Sequence, residues 1–184
     1  MISKSRAEPS NKEGSISPEL WSKIQADYAD LQIPTFSGAR GYQIIVEAAS
    51  KAIHVDLIKK KSENPEKIID FIRKSQFAYN TKIRRLRTDG AAEYKSHIFL
   101  EKLQQLGVEI QYSAPYRQEQ NGLAERHIQT LNNRITAMII GSGLPKAYWG
   151  EAALYATYIL NRTPHDSTVK PLMKFSQVKY RIFE

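Results

Sequence analysis

The sequence predicts one α/β domain: a mixed five-stranded sheet, three antiparallel strands followed by parallel ones, with helices on both faces. The order of segments carries this prediction, because three short β-forming runs come first and strands then alternate with helices. A length of 184 residues suits one domain better than two. A hydrophobic fraction of 41% is typical of a chain that folds around a core.

The first three strands are predicted at "ADYADLQI", at residues 42–46 and at residues 53–57. In the third run Ile53, Val55 and Leu57 alternate with polar residues, which is the period of a half-buried strand. A helical interpretation of "WSKIQADYADL" stays open, because its apolar residues also fit helical spacing.

The remaining segments alternate between helix and strand. Asn64 is placed to cap the first helix with Pro65 at its first position, and Ser96 can cap the second. Strands are predicted at "TKIRRLRTD" and "VEIQYSA", a long helix at about residues 121–140, and a last helix in "LPKAYWGEAALYATYILNR", where Trp149 is expected in the core.

The composition narrows the class of protein. Lys and Arg number 27 against 19 Asp and Glu, a net charge of +8, which suits a partner that is a polyanion but also an ordinary basic domain. There are no cysteines, which excludes disulfides and Cys-containing zinc sites. We expect a soluble, non-secreted protein without a membrane span, because no apolar run is long enough and no secretory signal is visible.

Two acidic residues stand where a metal site could form. Asp89 ends the fourth predicted strand directly after the basic run "KIRRLR", and Glu125 lies in the first turn of the long helix, with thirty-five residues between them. Mg²⁺ needs oxygen ligands gathered from separate elements, and strand ends and helix starts are suitable places. A surface ion pair is the simpler alternative for Asp89 alone.

Three blocks around these acids resemble a known family. "LRTDGAAEY", "YSAPYRQEQNGLAERHIQTL" and "GLPKAYWGEAALYATYILNRTP" resemble successive blocks of the integrase core of copia-type LTR retrotransposons, a family similar to retroviral integrases with a ribonuclease H-like fold. The resemblance covers about residues 28–165. It implies an integrase core at 19–165 and a truncated or divergent extension at 166–184. Residues 1–18 are polar, and we expect a disordered tail there.

The resemblance implies a metal-dependent polynucleotidyl transferase that processes element DNA ends and joins them to target DNA. Its site would consist of Asp30, Asp89 and Glu125 holding two Mg²⁺ or Mn²⁺ ions. Asp27 competes with Asp30, since strand alternation places the two on opposite faces. Asp30 is favoured here because Ala29, Leu31 and Ile33 would then share the buried face.

The resemblance also implies partners. DNA is expected at the element ends and at the target, with RNA as a further candidate, and a homo-oligomer is expected. The expected site of action is the nucleus of a eukaryotic host or a cytoplasmic particle. Candidate nucleic-acid contacts are Arg87, Lys95, Tyr116, Arg117, Gln118, Asn121, Arg126 and Arg134.

The sequence departs from the family pattern at two places, and two rival interpretations stay open. Ala91 and Ala92 follow Asp89 where the family usually has Asn and Gly residues, and Glu47 stands alone where the family usually has an acidic pair. The rivals are a degenerate element fragment that binds nucleic acid without catalysis, and a nuclease of the same fold.

Overall fold

One mixed sheet forms the centre of the structure, a computed structural model that describes residues 20–113 and 122–163. Its strands are β1 (Lys23–Asp30), β2 (Gly41–Glu47), β3 (Ile53–Ile58), β4 (Arg85–Thr88) and β5 (Glu109–Tyr112). Their order across the sheet is β3-β2-β1-β4-β5. β1, β2 and β3 pair antiparallel, whereas β4 pairs parallel with both β1 and β5. The predicted fold class is therefore confirmed.

Four α-helices cover the two faces of this sheet within the described ranges. They are α1 (Asn64–Tyr79), α2 (His97–Gln105), α3 (Gly122–Ser142) and α4 (Trp149–Leu160). One buried cluster joins α1 and α2 to the sheet, and a second joins α3 and α4 to its other side. We call these sides the α1/α2 face and the α3/α4 face. No helix in these ranges is long and apolar enough to cross a bilayer.

Alternation along β1 decides which side chains reach each face. Ile24 and Ala26 pack in the α1/α2 cluster, and Ala29 packs in the α3/α4 cluster. Asp27 pairs with Ile44, which also belongs to the α3/α4 cluster. Odd-numbered residues of β1 therefore point to the α3/α4 face, and even-numbered residues point to the α1/α2 face.

Most local predictions are confirmed, and two are wrong. Ser96 caps α2, because its Oγ accepts from the Phe99 backbone nitrogen at 3.4 Å. Trp149 is buried and its Nε1 donates to the Ile33 carbonyl at 2.7 Å. The helical interpretation of the first segment is wrong, because β1 begins at Lys23. Asn64 does not cap α1, because the helix already begins at Asn64 and Glu63 occupies the N-cap position, without a side-chain capping hydrogen bond.

The predicted boundaries of the domain stay predictions. The proposed tail at residues 1–18 and extension at residues 166–184 lie outside the described residues.

Gly41 provides a test of the close packing between β1 and β2. A Cβ there would lie 2.2 Å from the Ala29 carbonyl oxygen and 2.4 Å from the Tyr28 hydroxyl. Because one of these neighbours is backbone, β2 would have to shift. We expect Gly41→Ala to lower the free energy of unfolding by about 3 kcal/mol, measured by urea denaturation.

Gly141→Ala is the matched control. A Cβ at Gly141, in the last turn of α3, meets nothing within 4 Å. Alanine is the better helix former, so this variant should be unchanged or more stable by up to about 1 kcal/mol. Equal stability of the two variants would contradict the close approach at Gly41.

Candidate active site

The pairing of β1 with β4 brings Asp27 and Asp89 to the same level. Parallel pairing matches Gln25 with Arg87, so two residues further along each strand Asp27 lies opposite Asp89, just past the end of β4. Alternation from Arg87 also points Asp89 to the α3/α4 face, where Asp27 points. Both carboxylates therefore point to the same face of the sheet from adjacent strands, two residues beyond the last backbone pair.

Asp30 lies on the opposite face of the sheet from Asp27. It is the last residue of β1 and pairs with Gly41, with its side chain on the α1/α2 face. Its carboxylate is 64% exposed and lies 3.8 Å from the Lys61 ammonium, in the turn before α1. Three residues of extended chain, roughly 10 Å, separate it from Asp27. Asp27, the alternative ligand, lies on the face that α3 covers.

A tight turn holds Asp89 in place. Its Oδ1 accepts from the Ala91 backbone nitrogen at 3.1 Å, which closes the turn over Gly90. Gly90 has φ +72°, the left-handed region that favours glycine. Ala91 has φ −57° and ψ 156°, an ordinary extended conformation, and Ala92 begins a 3₁₀ turn. The two alanines therefore fit this turn without needing glycine.

Glu125 lies on α3, the helix that packs on this face of the sheet. It is exposed in the first turn of that helix, and Asn132 lies two turns further along the same side. The Asn132 Oδ1 accepts from the buried Tyr42 hydroxyl at 2.8 Å. This hydrogen bond fixes the polar side of α3 against β2, next to the strand that carries Asp27.

The pKa of Tyr42 reports the negative charge of Asp27 beneath α3. Burial raises the pKa of the Tyr42 phenol well above its ordinary value of 10.0, and the charge of Asp27 raises it further. Tyr42 therefore stays a neutral donor to Asn132 at physiological pH.

Carboxylate oxygens are the donors that Mg²⁺ and Mn²⁺ prefer, and Asp27 and Asp89 supply them from two adjacent strands. Within residues 20–113 and 122–163, no three acidic or histidine side chains are grouped closely enough to hold a metal ion. Asp27 and Asp89 are therefore suitable as two ligands of a divalent cation. Glu125 would have to move closer to become a third ligand.

The predicted nucleic-acid contacts divide by position. Lys95 flanks the Asp89 turn, with its ammonium 5.8 Å from the centre of the Tyr112 ring, and that ring lies against Gly90. Arg126 is exposed beside Glu125, and its Nε donates to the Gly122 carbonyl at 2.8 Å.

Two further arginines are less well placed for a substrate. Arg87 is half-buried below Asp89, and its Nη2 donates to the Gln111 Oε1 at 3.4 Å. Arg134 lies on the opposite side of α3 from Glu125. The predicted contacts Tyr116, Arg117, Gln118 and Asn121 lie outside the described residues.

Three polar residues near the site were not identified from the sequence: Tyr42, Gln43 and Tyr94. For Gln43 the sequence contains a signal, because this polar residue interrupts the otherwise apolar middle of β2, a strand that is buried throughout. The lone Glu47 has a structural role. Its carboxylate accepts from the backbone nitrogens of Trp21 and of the β2–β3 turn, at the other end of β1.

Comparison with known proteins gives sequence relatives in plants. No protein-family model matches the chain. It is 29% identical over 134 residues to the retrovirus-related Pol polyprotein from transposon TNT 1-94 of Nicotiana tabacum, covering 73% of this chain. It is 25% identical over 183 residues to the corresponding polyprotein from transposon RE1 of Arabidopsis thaliana, covering 100% of this chain. The chain spans only 10% and 12% of these relatives' lengths.

Solved structures share the fold. A simian T-cell lymphotropic virus intasome in complex with PP2A regulatory subunit B56 gamma matches with a TM-score of 0.62 and 18% identity, over 78% of this chain and 49% of that one. The HTLV-2 integrase catalytic core domain in complex with magnesium, in a trimeric form, matches with a TM-score of 0.58 and 19% identity, over 78% of this chain and 87% of that one. The homologues are thus Pol polyproteins of plant copia-type transposons, and the fold is that of retroviral integrase cores.

The hydrogen bond between Tyr42 and Asn132 can be tested by its pH dependence. Tyr42→Phe should lower the free energy of unfolding by about 1–2 kcal/mol at pH 7, because the half-buried Asn132 oxygen loses its donor. The raised pKa of Tyr42 gives wild type a stability that is full below pH 10.0, the ordinary value, and falls as the pH rises above it. The difference in free energy of unfolding between wild type and Tyr42→Phe should therefore stay constant up to about pH 10 and narrow as the pH rises from there to pH 11, measured by urea denaturation.

Tyr155→Phe is the matched control, since Tyr155 is 61% exposed on α4. Its free energy of unfolding should follow that of wild type at each pH. A gap between wild type and Tyr42→Phe that stays constant up to pH 11 would contradict the burial of this phenol beside Asp27.

Proposed function

We propose that this chain is the catalytic core of a retrotransposon integrase, a metal-dependent polynucleotidyl transferase that processes element DNA ends and joins them to target DNA. The observation that carries the proposal is the β1–β4 register, which sets Asp27 level with Asp89 on the face covered by α3. Carboxylates from adjacent strands, joined by a third from the helix that covers the same face, would give the donor set for phosphodiester chemistry with divalent cations.

The comparisons support the proposal at a coarser level. The relatives are polyproteins of mobile elements, and the fold neighbours include an integrase catalytic core in complex with magnesium. Both solved structures are less than 20% identical in sequence to this chain, so they support the fold alone. The chemistry assigned to this chain rests on the positions of its own acidic residues.

The cations would lie between Asp27 and Asp89, and Glu125 would complete their ligands from α3. With two divalent cations held there, one would activate a water or a DNA 3′-hydroxyl as nucleophile and the other would stabilise the leaving oxygen of the phosphodiester. Asp27 and Asp89 would hold them by carboxylate oxygens, and the Asp89 turn would keep its ligand pointing to the α3/α4 face.

Basic residues around this edge would position the DNA backbone. Lys95 beside the Asp89 turn and Arg126 beside Glu125 are both exposed and lie near two of the three acids. Contacts to phosphates set the position of the duplex without reading its sequence. Arg134, on the far side of α3, would contribute less. The segment containing Tyr116, Arg117, Gln118 and Asn121 directly precedes α3 in the sequence and stays a predicted DNA contact.

The proposed assembly is a homo-oligomer on two DNA ends, since joining both ends needs more than one active site. One fold neighbour is an intasome and another is a trimeric form. We propose action on nuclear DNA in a eukaryotic host, with a cytoplasmic particle as a second location. RNA stays a further candidate partner, because a net charge of +8 does not distinguish one polyanion from another.

The test compares Asp27→Asn with Asp30→Asn, the same substitution on one strand. The protein is incubated with Mn²⁺ and a labelled DNA duplex, and joined and cleaved products are separated on a gel. Asp27→Asn and Asp89→Asn should reduce joining to the level without metal. Asp30→Asn should keep wild-type activity, and should change stability by less than about 1 kcal/mol, because its ion pair with Lys61 is exposed.

The outcomes separate the rival functions. Loss of joining in Asp30→Asn but not in Asp27→Asn would refute the assignment of Asp27. Cleaved ends without joined products would indicate a nuclease of the same fold. A salt-sensitive shift in DNA mobility with no reaction would indicate a degenerate fragment that only binds nucleic acid.

A further inference from the structure

The backbone pairing of β1 with β4 stops short of the acidic residues. The last recorded pair is Gln25 with Arg87, two residues before Asp27 and Asp89, and β4 itself ends at Thr88. The strand ladder therefore sets the direction and register of the two carboxylates but does not fix their separation. Some other contact must hold the Asp89 turn against β1 at this level.

A buried chain of hydrogen bonds makes that contact from the α1/α2 face. The Tyr94 hydroxyl donates to the Gln43 Oε1 at 3.1 Å. The Gln43 Nε2 donates to the Asp27 carbonyl at 2.8 Å and to the Ile44 carbonyl at 3.3 Å. Tyr94 is 1% exposed and Gln43 is 0% exposed, so water does not compete for these groups. An unpaired polar atom there would be costly, which keeps the chain of bonds intact.

Tyr94 is in turn attached to the Asp89 turn. The Asp89 carboxylate accepts from the Ala91 nitrogen, and the Ala91 carbonyl accepts from the Tyr94 nitrogen at 3.1 Å. From the other side, the Tyr112 hydroxyl donates to the Tyr94 carbonyl at 2.9 Å, which anchors this turn to β5. A continuous path of hydrogen bonds thus runs from the carboxylate of Asp89 to the peptide of Asp27.

The chemistry of the two side chains suits this path. A glutamine amide can accept from a phenol while donating to two carbonyls, which neither a carboxylate nor an apolar side chain can do. Burial, followed by the charges of Asp89, Glu93 and Asp27, raises the pKa of the Tyr94 phenol well above its usual range. Tyr94 is therefore a permanent donor at neutral pH, and its phenol lies close enough to both acids to sense their charges.

We propose that Tyr94 and Gln43 are positioning residues for the carboxylate pair: they set the separation of Asp27 and Asp89 and so determine the affinity of the site for a divalent cation. This inference rests on the proposed function. It assigns a role in cation binding to two residues that lie beneath the sheet and touch neither cation nor DNA.

The experiment measures Mn²⁺ affinity on the full chain, by the electron paramagnetic resonance signal of free Mn²⁺ during titration with MnCl₂. The variants are Tyr94→Phe, Gln43→Leu and the double variant, with Asp27→Asn defining the background. Thermal unfolding without metal is measured on the same proteins. We expect each single variant and the double variant to bind Mn²⁺ roughly 10-fold more weakly than wild type, the size typical of lost outer-shell hydrogen bonds.

The double variant separates positioning from stability. Each single change leaves a buried polar atom without its partner and should lower the melting temperature. The double change removes both ends of the bond between Tyr94 and Gln43 and should recover the part of the loss that is due to that bond, while the Asp27 and Ile44 carbonyls still lack the Gln43 donor. Affinity should stay low in the double variant even as stability returns. If the single variants fail to fold, the double variant alone decides the question.

Three outcomes would overturn the inference, and they are distinguishable. If wild type and Asp27→Asn bind Mn²⁺ equally, both the proposed function and the positioning role are wrong. If Asp27→Asn loses binding but Tyr94→Phe and Gln43→Leu bind as wild type does, only the positioning role is wrong. If affinity returns together with stability in the double variant, the two residues act through stability alone.

Discussion

The parallel pairing of β1 with β4 is the contact on which the candidate site depends. It matches Gln25 with Arg87 and thereby sets Asp27 level with Asp89 on the face covered by α3. A slip of one residue would turn Asp27 to the opposite face, because side chains alternate along a strand. Burial opposes such a slip, since Ile24 and Leu86 pair in this register and are both fully buried on the α1/α2 face.

The two faces of the sheet contribute different groups to the candidate site. The α3/α4 face presents the carboxylates and carries Glu125 on α3, which is held by the hydrogen bond between Tyr42 and Asn132. The α1/α2 face holds the Asp89 turn from below, through Tyr94 and Gln43. Cation binding proposed for one side would therefore depend on buried hydrogen bonds on the other. An exposed pair such as Asp30 with Lys61 adds little to stability, typically 0–1 kcal/mol.

Most of the secondary structure could be predicted from the sequence, because strands, helices and caps depend on local patterns of residues. The order of strands and helices along the chain follows from the periodicity of apolar residues, and the Ser96 cap follows from residue type. The choice between Asp27 and Asp30 could not be made this way, since alternation only says that they face opposite sides. The β4 register and the position of α3 distinguish them, and both are long-range. The link from Tyr94 to Gln43 spans 51 residues and has no local signal beyond a glutamine in an apolar strand.

The proposed function requires that Asp27 and Asp89 together hold a divalent cation. A crystal structure of the chain grown with Mn²⁺ tests this, with anomalous scattering used to locate the metal. We expect an anomalous peak on the α3/α4 face, coordinated by carboxylate oxygens of Asp27 and Asp89, with none at Asp30. A peak at Asp30 without one at Asp27, or a peak coordinated by Asp89 alone, would contradict it.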